Sequence, residues 1–182
     1  MKTYYFLILA TISVVFSSCD LTGSTNNTPQ ILLLSKPTAN VKDTLNLYPT
    51  DQSGIYKLDT ICVGDTVNFR VLLNGFSNNL TAYYLVLSDT LSSKLVLPDK
   101  ISMDSIFAST SDYKKGKFIF QNKILNLYFP FRYVALKETT EAKITFALSS
   151  DASFEGSAYG SNVFSFGLKT PIKKAKTPAI VN

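Results

Sequence analysis

Acids and hydroxyls stand side by side throughout this chain. Asp-Ser/Thr-apolar triplets occur five times: Asp43-Thr44-Leu45, Asp59-Thr60-Ile61, Asp65-Thr66-Val67, Asp89-Thr90-Leu91 and Asp104-Ser105-Ile106. A carboxylate beside a hydroxyl is a candidate acid-nucleophile set, but a hydroxyl nucleophile needs a base within reach. The 182-residue chain has no histidine, which removes the commonest base, the usual triads and most zinc sites. No Ser-x-x-Lys motif stands at a helix start, and neither a P-loop nor a dinucleotide fingerprint is present. Glycosidase-type carboxylate pairs would have to come from three glutamates and ten aspartates. Glu138 and Glu141 lie in the polar stretch "KETTEAK", and the aspartates sit mostly beside Gly, Ser, Thr or Asn, as turn residues do. For calcium, Asp104 with Asp112 and Asp151 with Glu155 lack dense acid spacing. The expectation is a protein without enzyme activity, cofactor or metal.

The bland account of the triplets is strand-start grammar: Asp in the turn, Thr as first strand residue, an apolar residue opening the buried face. It suits Asp65-Thr66-Val67 and fits Asp89-Thr90-Leu91 poorly, because that stretch follows a strand. The triplet also resembles the acceptor of the general O-glycosylation systems of gut-type Gram-negative anaerobes. That resemblance implies glycans on Thr44, Thr60, Thr66, Thr90 and Ser105, each of which must then face solvent.

The N-terminus, "MKTYYFLILATISVVFSSC", has a basic start, an apolar run from Tyr4 to Phe16 and small residues before Cys19. This is the pattern of a secretory signal peptide. A run of about 13 residues is too short to cross a bilayer core of about 30 Å. Phe16-Ser17-Ser18-Cys19 resembles the lipobox of bacterial lipoproteins, with Phe in place of the usual Leu. The resemblance implies cleavage after Ser18, a diacylglycerol on the Cys19 thiol and acylation of the new amine. Anchoring by several chains is firm where one would be marginal. With Cys19 lipidated, Cys62 has no intrachain partner, and between Ile61 and Val63 it reads as a small buried hydrophobe.

Charge is modest: formally +5, less one when Lys2 leaves with the leader. No basic patch interleaved with aromatics appears, so nucleic acid is not an expected partner. "DLTGSTNNTPQ", residues 20–30, has no apolar period and reads as a flexible tether.

The elements between are strands. "TVNFRV" alternates, with Val67, Phe69 and Val71 on one side and Asn68 and Arg70 on the other. "LTAYYLVLS", "KFIFQ", "ILNLYF", "AKITFALS" and "NVFSFGLK" are similar, separated by turn formers such as Asn74-Gly75 and Lys115-Gly116. Only "ISMDSIFASTSDY" suggests helix, of one or two turns. Seven or more short strands predict a sandwich or barrel. "VGDTVNF" resembles the turn and second strand of bacterial immunoglobulin-like domains, although the chain has neither Trp nor a cysteine pair.

The predicted organisation is therefore a lipoprotein signal peptide at 1–18, a lipidated tether at 19–30, an all-β, immunoglobulin-like antiparallel β-sandwich at 31–170 and a basic tail at 171–182. The whole resembles the small Bacteroides-type surface lipoproteins of Gram-negative bacteria. This implies an outer-membrane, lipid-anchored protein on the periplasmic or extracellular face. The membrane would be engaged through the lipid, and a protein or glycan through the domain. The function expected is a binding or adhesion-type module, with an accessory subunit of an envelope complex or a glycan-binding protein as alternatives. For sugar binding, Tyr113 beside "KKGK" and Tyr159 in "EGSAYGSN" are the candidate aromatic contacts.

Overall fold

The computed structural model describes residues 26–155 and 159–175. The leader and Cys19 lie outside the described residues. In chain order the strands are β1 (Gln30–Leu33), β2 (Thr38–Ala39), β3 (Asp43–Thr44), β4 (Leu47–Pro49), β5 (Ile55–Leu58), β6 (Ile61–Cys62), β7 (Thr66–Asn74), β8 (Leu80–Leu87) and β9 (Ser93–Val96). A short helix α1 (Lys100–Asp104) and a 3-10 turn (Tyr113–Lys115) follow. Then come β10 (Lys117–Ile119), β11 (Asn126–Ala135), β12 (Lys143–Ser150), β13 (Val163–Lys169) and β14 (Ile172–Lys173).

Two six-stranded sheets form. The first runs β3-β2-β7-β11-β9, with β1 also on β7, and the second runs β10-β8-β12-β13-β5-β4. Set aside the two- and three-residue strands and β5, which adds on in parallel beyond β13, and β1-β7-β11-β9 faces β8-β12-β13. Ranked along the chain, that is first-second-fifth-fourth against third-sixth-seventh, the strand arrangement of a constant-type immunoglobulin domain. Two short pairings, β13 with β5 and β14 with β6, are parallel in an otherwise antiparallel scaffold. β14 lies in the stretch read as a basic tail: Ile172 is buried, and its backbone pairs with Ile61 and with Thr139. A single apolar residue among lysines gave no period to signal it.

Period-two alternation decides which side chains go inside. On β7, Val67, Phe69, Val71 and Leu73 are buried; on β12, Ile144, Phe146 and Leu148 are buried. Phe69 and Phe131 stack at 4.8 Å, and Phe131 reaches Phe146 of the facing sheet at 6.1 Å. The Tyr133 hydroxyl and Thr170 Oγ1, 2.8 Å apart, tie the sheets together, and burial pushes the Tyr133 phenol up. The turn before β7 is closed twice, by Asp65 N donating to the Cys62 carbonyl and Cys62 N donating to Asp65 Oδ2. Gly64, at φ +92°, makes that turn possible. Cys62 is buried and free.

The start of the described chain is clipped to the domain before β1 begins. Asn26 Oδ1 accepts from Asn78 Nδ2 and from Ser153 N, and Asn27 N donates to Asn78 Oδ1. Thr28 Oγ1 accepts from Ser161 N.

Candidate functional site

A Phe-Arg dipeptide occurs once in β7 and once in β11, as Phe69-Arg70 and Phe131-Arg132. These are the only arginines in the chain. The antiparallel register sets Phe69 opposite Phe131, Arg70 opposite Pro130 and Arg132 opposite Asn68. Because faces alternate, the buried phenylalanine pair fixes both arginines on the outer face as diagonal neighbours. Tyr128, two residues before Pro130, shares that face opposite Leu72, which in turn faces Leu32 of β1.

Elements on either side turn this face into a groove of about 920 Å³. One wall is the link from β1 to β2 and the β2–β3 hairpin, including Lys36 and Thr44. The other is the end of β9 with Leu97 and Pro98. The hairpin wall is positioned by Asn40, at φ +48°: its amide donates to Asp65 Oδ1 and its oxygen accepts from Thr66 N. β9 pairs with β11 only as far as Val96 opposite Arg132, so the lower half of β11 is a sheet edge. That is where Pro130, which has no N–H to donate, is tolerated.

The groove is cationic and its two arginines have no carboxylate partner, whereas Lys36 at the rim is near enough to Asp59 to help lower that carboxyl. Among the described residues the ion pairs are Lys100 with Asp104 and Lys115 with Asp112, and neither involves an arginine. No carboxylate lines the groove. Lys36 at the rim donates to Asn46 Oδ1 at 2.8 Å. Asn68 donates its amide to the Thr38 carbonyl at 3.2 Å, leaving its side-chain oxygen as a free acceptor. Guanidinium, amide, hydroxyl and ring groups are the chemistry of recognition. No group of three His, Cys, Asp or Glu that would hold a metal ion occurs among the described residues.

The triplets scatter over the surface. Thr44 is exposed and lines the groove; Thr60 and Thr90 are exposed in connections; Ser105 is exposed at the end of α1, donating to the Ser102 carbonyl; Thr66 is half-buried at the start of β7. Their acids act locally. Asp59 accepts from Asn46 N at 2.7 Å, which holds its carboxyl below the usual range. Asp89 accepts from Leu91 N and Ser92 N before β9, and hydrogen bonding by Ser92 and then Leu91 lowers it likewise. Asp65-Thr66 and Asp59-Thr60 do lead into strands, whereas Asp104-Ser105 ends a helix and Asp43-Thr44 is itself a strand.

Tyr113 is half-buried. Its hydroxyl donates to Asp104 Oδ1 at 3.0 Å and its ring stacks on Phe118 at 5.7 Å. Partial burial, followed by the Asp104 carboxylate, pushes its phenol up. Tyr159 is 86% exposed in the β12–β13 connection, so the two rings belong to different parts of the surface. The exposed aromatic side chain lining the groove is Tyr128, whose place on the outer face depends on the register of β11. A sequence signal for the groove exists in the repeated Phe-Arg dipeptide at matching phases of two alternating strands.

Fold and site together define a β-sandwich module of immunoglobulin-like strand order that presents a cationic groove on one sheet. No protein-family model matches the chain, and no curated protein matches it in sequence. Among solved structures it is similar to a cohesin module from a family 33 glycoside hydrolase of Clostridium perfringens ATCC13124. The identity is 10%, over 78% of this chain and 100% of that one, with a TM-score of 0.34. That likeness is one of β-rich architecture; the immunoglobulin-like assignment rests on the strand order.

Proposed function

We propose that this protein is a non-catalytic binding module of the cell envelope, held at the outer membrane by a lipid on Cys19, and that it binds through the groove over β7 and β11. The observation that carries the reading is the placement of both arginines, without carboxylate partners, on the floor of one groove. An arginine fork is costly to hold in one geometry and earns its place where it meets a planar anion. The rows Leu32-Leu72-Tyr128 and Leu34-Arg70-Pro130 add apolar area around the two cations. Aromatic and Arg side chains on a rigid scaffold are what binding surfaces concentrate.

The anchoring half of the reading is supported by the leader and lipobox residues. Its test is fractionation: Cys19→Ala is expected to release the protein from membranes washed in high salt, and retention overturns the lipid anchor. Thr44, Thr60, Thr90 and Ser105 are exposed enough to carry glycans, and Thr66 is the least accessible of the five. Intact mass of protein from its native host tests this, since a mass equal to chain plus lipid excludes modification. For the binding half, Arg70→Gln with Arg132→Gln is expected to abolish ligand or partner retention without lowering the melting temperature.

A further inference from the structure

We infer that the groove takes an acidic polysaccharide, a chain of hexuronate sugars whose carboxylates are received by Arg70 and Arg132. This rests on the reading of the groove as a binding site, and three features select the ligand.

The first is charge. Two guanidinium groups without carboxylate partners line the groove, so an anion is attracted and a cation repelled. Fork geometry favours planar oxyanions such as carboxylate. The arginines are diagonal neighbours across β7 and β11, and so present two receptors rather than one.

The second is what the backbone withholds. Peptides are commonly captured by adding a strand to an open sheet edge. Here β7 is paired on both sides along the floor: Asn68 with Thr38 and Arg132, and the Arg70 carbonyl with Leu34 N. The open edge of β11 carries Pro130 at this level, which blunts strand addition. Over this floor a ligand is therefore read chiefly by side chains.

The third is the kind of side chains on offer. The Asn68 oxygen is a free acceptor, Tyr128 supplies a phenol, and the flat faces of Tyr128 and Pro130 are exposed beside the arginines. Hydroxyl-rich rings with apolar C–H faces and a carboxylate use all of these together. A groove of about 920 Å³, open to solvent, admits several sugar units of a longer chain.

The experiment is titration calorimetry of the full chain with oligogalacturonate, its methyl ester, and poly-L-glutamate. Wild type is expected to bind the uronate chain and to lose about tenfold when the carboxylates are esterified. Arg70→Gln and Arg132→Gln are each expected to weaken binding about tenfold, and Arg70→Lys with Arg132→Lys to restore only part of it. Thermal melting of each variant should match wild type, which separates lost binding from lost folding. Failure to bind the uronate chain, or Arg-dependent binding of poly-L-glutamate as tight as that of the uronate, overturns the polysaccharide assignment; the second result leaves the groove standing as a binding site. Uronate binding that survives unchanged in the double Gln variant overturns the groove itself. New reducing ends released from the oligogalacturonate overturn the non-catalytic reading.

Discussion

Two corners of this molecule use the same residue types in opposite ways. Around α1 and the 3-10 turn, an aromatic ring, lysines and aspartates sit close together and satisfy one another. Asp99 caps α1 by accepting from Ser102 N and Oγ; Asp104 holds Lys100 and the Tyr113 hydroxyl; Asp112 holds Lys115. The Tyr113 ring is drawn into a cluster with Phe107 and Phe118, which continues to Phe129. In the groove over β7 and β11, the arginines have no carboxylates and the Tyr128 ring is half open to solvent. A satisfied corner stabilises the fold, whereas an unsatisfied one has its interactions still to make. A loop position does not tell whether a ring folds back onto the fold, as Tyr113 does, or stays exposed, as Tyr159 does.

The contrast is sharpened first by emptying the satisfied corner. Phe118→Ala removes a fully buried ring from the centre of the aromatic cluster and is expected to cost about 3–5 kcal/mol in urea denaturation. Next is Gly116, which ends the 3-10 turn at φ +67° and whose added Cβ would lie 1.9 Å from the Leu85 carbonyl oxygen. Gly116→Ala is expected to cost about 1–3 kcal/mol, read as a lower urea midpoint. Tyr113→Phe breaks only the bond to Asp104 and should cost under about 1 kcal/mol. Arg70→Ala in the groove is expected to stay within about 0.5 kcal/mol of wild type in the same assay. A large loss there would mean that the groove is structural.

Acid separates the two corners as well. Hydrogen bonds from Ser102 hold Asp99 below the usual carboxylate range, and Lys100, then Tyr113, do the same for Asp104. A carboxyl depressed in the folded state contributes stability above its unfolded value, about 3.9 for Asp, and loses it as pH falls through the folded value. Stability should therefore be level from neutral pH to about 4 and decline below that. Asp99→Asn and Asp104→Asn together should make the profile flatter in acid. The groove arginines keep their charge throughout that range.

The long strands were legible because alternation leaves a trace wherever one face is buried. Val67-Phe69-Val71 and Ile144-Phe146-Leu148 lie inside as their spacing requires. The two-residue strands β2, β3, β6 and β14 were not legible, since two residues carry no period and their pairing comes from elements far along the chain. β9 was hidden for another reason: "SKLV" is short and follows an Asp-Thr turn that also resembles a modification motif. The groove was half visible. Arg70 was on the outward phase of β7 from the start, but its meeting with Arg132 depends on a cross-strand register fixed by the Phe69–Phe131 stack. Local pattern gives the side a residue faces and not its neighbour there.

The clip at Asn26 has a mechanical consequence. Any pull on the chain upstream of Gln30 reaches the side-chain bonds from Asn26 to Asn78 and Ser153 before it reaches a strand. Behind them, β1 lies along β7 with Gln30 opposite Asn74 and Leu33 opposite Val71, and the groove floor begins past the Leu33 end, at Arg70. A force applied between the N-terminus and the groove would therefore run along the axis of β1 and load its ladder in shear, all bonds together, instead of peeling them one by one. Under such a load the few side-chain bonds of the clip would break before the β1–β7 ladder, so the clip would act as a fuse for the sandwich.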